Sequence, residues 1–87
     1  MITADEARTL RVEANQYTKE LDTAEISWSI IISEAAKSGD GYAILMVAER
    51  HVTGAQVRWQ RCGFNFRYEE QHPSDRVTGF NAYRVMW

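Results

Sequence analysis

At Gly63 the spacing of the large apolar residues changes from helical to alternating, and this switch constrains the chain more than any other feature. Upstream, Val52, Ala55, Trp59 and Cys62 recur every three or four residues, the stripe of a helix that buries one face. Downstream, Phe64, Phe66 and Tyr68 alternate with Asn65, Arg67 and Glu69, which marks a strand with one apolar side. Glycine takes positive φ without a Cβ penalty, so Gly63 reads as the residue just past the helix. Phe64 then folds back towards Trp59 in a Schellman ending. On this stripe Cys62 reads as a buried, inert thiol, and Gly54 weakens the helix by about 1 kcal/mol relative to alanine.

The rest of the chain is ordered around that unit. "TADE" at residues 3–6 has the capping-box pattern, so a helix starts there and carries Ala7, Leu10, Ala14, Tyr17 and Leu21 along one narrow stripe. Asp22 with Glu25, or Thr23 in the same role, predicts a break and a second helix. That helix is expected to bury Ile26, Ile30, Ile31 and Ala35, with Trp28 and Ile32 widening the stripe, and to end at Gly39. "YAILMV" at 42–47 is apolar throughout and reads as a strand covered on both faces, by its own helices or by an oligomer contact. After the polar stretch "EEQHPSDRVTG", an exposed loop, residues 80–87 return to alternation and can pair with 64–69 as a wide antiparallel hairpin.

The expected fold is therefore α+β, a two-layer α/β sandwich in the order α-α-β-α-β-β. Its three-stranded sheet is expected to be mixed, because a helical crossover would set strands 42–47 and 64–69 parallel. One sheet face is left poorly covered in a lone monomer, which invites a partner. With 87 residues the chain makes a single domain, 1–87, with a helical part at 1–40 and a strand-helix-strand-strand part at 41–87.

Charge divides along the same line. Residues 1–40 carry eight acids and four bases, a balance of −4, and residues 41–87 carry four acids and six arginines, a balance of +2. Such polarity suits head-to-tail packing of identical subunits or docking on an oppositely charged partner. One cysteine allows no internal disulfide and fits a reducing compartment. No apolar run approaches the roughly 20 residues that span a bilayer, so the chain reads as soluble, with no membrane partner.

Chemistry is thinly signalled. Cys62 has no neighbouring base in the sequence, and His51 and His72 stand without a cysteine pair or carboxylate cluster at ligand spacing. His51 reads as capping or solvated at a helix start. "SGDGYA" precedes a strand where a phosphate loop would follow one, and Glu69 and Glu70 point to opposite faces as solvated groups. The expectation is a non-enzyme with no catalytic residue, metal or cofactor. The best polar constellation is partner-binding: Arg58, Arg61, Arg67, Tyr68, Tyr83, Arg84 and Trp87. Arginine with aromatics holds phosphates and stacks bases, but it is equally enriched at protein interfaces, and the overall acidity favours the protein partner.

"TADEAR", then "ISEAAKSGDGYAIL", then a helix closing on "CGF" and a final "YRVMW" together resemble a recurring group of small tailed-bacteriophage proteins. The likeness spans nearly the whole chain and rests on Ala35, Ala36, Gly39, Gly63, Phe64 and Trp87, with Gly54 and Trp59 departing from the pattern. It implies a structural accessory located in the virion or host cytoplasm. Such a protein would be a capsid decoration or head and neck component, binding in many copies to a larger assembly as an oligomer. Two alternatives are an early protein that inhibits a host factor and a small nucleic-acid-binding regulator.

Overall fold

A computed structural model describes residues 1–87. It consists of α1 (Ala4–Lys37), β1 (Tyr42–Ala48), α2 (Val52–Arg61), β2 (Asn65–Tyr68) and β3 (Phe80–Met86). Short 3-10 turns at Glu49–His51 and Pro73–Asp75 complete the chain, the second lying within the stretch expected to be plain loop. The α+β class stands, while the finer arrangement differs from expectation in the number of helices and in the sheet.

The expected break near Asp22 is absent, and α1 runs for 34 residues. Thr3 opens it with both halves of the capping box formed. At the supposed break, Asp22 and Glu25 turn to Arg58, and the Thr23 hydroxyl donates to the Lys19 carbonyl within the helix. A motif that could cap a helix is thus spent on side-chain partners. Continuity also fixes the helical phase: Leu21 and Trp28 are buried, with Tyr17, Ala24, Ile32 and Ala35 packed beside them. Ile26, Ile30 and Ile31, expected in the core, remain 65%, 54% and 42% exposed. Residues 4–16 project past the domain with every side chain exposed, which accounts for a long dimension of 52 Å against 30 and 18 Å.

The sheet order is β1-β3-β2 and both pairings are antiparallel, so the expected mixed sheet is not formed. β1 and β2 run in the same direction but do not touch as neighbours; β3 lies between them. Length explains the choice. β1 and β3 pair over seven residues, whereas β2 offers only four. β3 also buries Ala82 on one face and Tyr83 and Val85 on the other, as suits a central strand.

Ala43, Leu45 and Val47 of β1 join Tyr83 and Val85 of β3 beneath Leu21 and Trp28 of α1 and Ala55 and Trp59 of α2. Both helices therefore cover the same sheet face. Trp59 is the hub of an aromatic cluster, with its ring 5.4 Å from Trp28, 5.6 Å from Phe66 and 5.8 Å from Tyr83. The Schellman ending forms as expected: Gly63 has φ +86°, and Phe64 N–H donates to the Trp59 carbonyl at 3.0 Å. Cys62, at the cap itself, is exposed and not buried on the stripe, because the chain is already turning away from the core there.

Candidate interaction face

In a sheet, successive side chains point to opposite sides, so the burial of Leu45, Tyr83 and Phe66 beneath the helices assigns the other face. On it stand Tyr42, Ile44 and Met46 from β1, Arg84 and Met86 from β3, and Asn65 and Arg67 from β2. No helix covers them; at one end the segment after β2 brings Gln71 Nε2 to 3.5 Å from Met46 Sδ, beside the buried Ala82, and the rest of the face is open. Tyr42 is 44% exposed and Ile44 is 38% exposed, so within one chain only the face of 42–47 towards the helices is fully covered.

Arg84 organises this open face. Its Nε and NH2 groups donate to Glu69 Oε2 and Oε1 at 3.2 and 3.0 Å, a bidentate pair that partly buries both side chains. Its guanidinium carbon lies 4.5 Å from the centre of the Tyr42 ring, within cation-π range. Glu69, expected to be solvated, is thus a structural partner. Directly across the ladder from Arg84 is Arg67, exposed and without an ion pair. Like charges directly opposite on a sheet are destabilising by a few tenths of a kcal/mol to about 1 kcal/mol. Arg67 is therefore an uncompensated cation on a surface otherwise floored by Tyr42, Ile44 and two methionines.

The remaining residues of the expected constellation are dispersed. Arg58 NH1 donates to Asp22 Oδ1 and to Glu25 Oε2, both at 2.7 Å, and ties α2 to α1. The hydrogen bond that Arg58 donates to Asp22, against the opposing effect of burial and with help from Glu25, holds the guanidinium above its usual range. Arg50 likewise pairs with Glu20 at 2.9 Å. The acidic and basic parts of the chain thus meet inside one molecule, across α1 and the segment 49–61. Tyr83 is buried in the core, and Tyr68, half-exposed on the helix side of β2, meets it edge to face at 5.8 Å. Arg61 is exposed on α2, and Trp87 lies beyond β3 against Phe64, their rings 6.2 Å apart. Only Arg67 and Arg84 share the open face.

Sequence reasoning missed Tyr42, Ile44, Met46 and Met86 as members of this face. It also misplaced His51, which is buried and hydrogen-bonded through Nε2 to Glu20 at 2.9 Å, with its ring edge-on to Tyr17. No three His, Cys, Asp or Glu side chains gather closely enough to hold a metal ion. No helix is long and apolar enough to cross a membrane. Comparison with protein-family models, curated proteins and solved structures finds no match to this chain.

Proposed function

We propose that the chain is a non-enzymatic binding subunit that docks on an acidic protein surface through the open face of its sheet. The observation that carries this is the Arg67–Arg84 pair. Two guanidiniums stand opposite each other on a partly apolar face that no helix covers, and Glu69 answers only one of them. A partner carboxylate placed over Arg67 would relieve the repulsion, while Tyr42 and Ile44 supply the apolar contact that protein interfaces use. The mixture of arginine, tyrosine, methionine and isoleucine suits a protein partner better than a phosphate backbone, which asks for a continuous basic track.

Together with the resemblance to small tailed-phage proteins, this favours a structural accessory of the virion, carried in many copies on a larger shell or neck. The same face would also suit an inhibitor of a host factor. Quantitative mass spectrometry of purified, salt-washed particles separates the two. A virion subunit is recovered at a fixed, multi-copy ratio to the major shell protein. Confinement of the chain to the soluble fraction of infected cells would contradict the virion assignment.

A further inference from the structure

We infer that the outer edge of β1 pairs with β1 of a second copy about a two-fold axis through Leu45, which joins two three-stranded sheets into one of six. β1 has a strand neighbour on one side only. In an antiparallel ladder, alternate residues turn their backbone groups towards the partner strand. The Gly41 carbonyl accepts from Trp87 N–H at 3.0 Å, and Glu49 N–H donates to the Gly79 carbonyl at 2.9 Å. Odd-numbered residues from 41 to 49 therefore face β3, and Tyr42, Ile44, Met46 and Ala48 present their N–H and C=O groups outwards.

The two edges of the sheet are built differently. β2 is four residues long, bears Arg67 and runs into Glu69 and Glu70, which are features that deter further pairing. β1 has seven residues and no charge, proline or glycine, so it is an unguarded template for another strand.

The occupant follows from symmetry and charge. With the axis at Leu45, Tyr42 pairs with Ala48 of the second copy and Ile44 with its Met46, so all four outward residues enter bonded pairs. The large Tyr42 ring then lies beside a small alanine, and Ile44 lies beside a flexible methionine. Because the strand is uncharged, self-pairing places no like charges together, whereas a charged peptide would find no counter-charge on it. Backbone pairing alone falls short of the roughly 1,000 Å² that a stable interface buries. α1 supplies more. α1 lies over β1, and on the side of the helix away from Asp22 and Glu25 it carries Ala24, Ser27 and the exposed Ile31, together with Glu20, which Arg50 answers within the same chain. The small residues there allow close approach of a second α1.

This inference rests on the strand edge, apart from the docking face, and doubles that face by setting two Arg67–Arg84 pairs on one sheet. The test combines light scattering of the full chain over a wide concentration range with amide hydrogen exchange followed by nuclear magnetic resonance. The expected mass is twice the 10.0 kDa of one chain. The amides of Ile44 and Met46 should be protected to the level of Leu45. Ile44→Pro, which spares the ladder to β3 because the N–H it removes points outwards, should give a folded monomer, and mass and exchange, not docking, are its readouts. A monomeric parent protein overturns the inference and leaves docking on a larger partner untouched. An oligomer whose Ile44 and Met46 amides exchange freely also overturns it, since the contact would then lie elsewhere.

Discussion

Leu21 occupies the space that a side chain at Gly54 would need: a Cβ there would stand 2.6 Å from Leu21 Cδ1 and 2.9 Å from the Tyr17 hydroxyl. The glycine that weakens α2 by its own propensity is what lets α1 approach it. Gly54→Ala gains about 1 kcal/mol of helix propensity but overpacks a buried contact at about 1–3 kcal/mol. A net loss of up to about 2 kcal/mol is expected. Urea denaturation of the two proteins measures it, and a stabilised variant would show that Leu21 has room to move.

Trp59 separates the value of an aromatic body from that of its polar edge. The indole N–H is buried without a hydrogen-bond acceptor, while the ring contacts three other aromatics. Trp59→Ala should cost about 3–5 kcal/mol, much of the total stability of so small a domain. In Trp59→Phe the lost area is offset by removal of an unsatisfied donor, so it should stay within about 1.5 kcal/mol of the parent. If both variants unfolded alike in equilibrium denaturation, the N–H would be shown to have a partner.

Arg58 is answered from two turns of α1 at once. Its carboxylate partners are half-exposed, so solvent screens the attraction and Arg58→Ala should cost only about 1 kcal/mol. The part of that loss due to charge should shrink in 1 M salt. Denaturation at low and high salt checks this; a salt-independent difference would assign the loss to the packing of the aliphatic stem.

What was legible in the sequence was local. The turn at Gly63 and the capping box at Thr3 are decided by residues three to five positions apart, and both form as read. The hairpin of β2 with β3 followed from alternation on both strands. The helix break failed because Asp22 and Glu25 answer to Arg58, 36 and 33 residues away. His51 was misread for the same reason, its partner Glu20 lying 31 residues off. Strand order was hidden because alternation gives a strand its faces and not its neighbours.

The candidate site was legible to a similar degree. Arg67 and Arg84 stood out because each occupies the wet phase of an alternating strand. Tyr42 and Ile44 did not, because "YAILMV" is apolar at every position and periodicity assigns it no side. Tyr83 and Arg58 were grouped with the site on residue type alone, and tertiary packing put one in the core and the other in an interhelical clamp.

Arg67→Glu separates folding from docking on the open face. The substitution replaces a like charge opposite Arg84 with an opposite one but sets a carboxylate two residues from Glu69 on the same face, so stability should change by no more than a few tenths of a kcal/mol while the proposed site for a partner carboxylate is lost. The decisive measurement is co-sedimentation of the purified chain with particles that lack it, for the parent and for Arg67→Glu at matched concentration and salt. Saturable binding of the parent, and its loss in an equally stable variant, is the predicted result. Equal binding by both proteins, or by neither, would contradict docking through this face of the sheet.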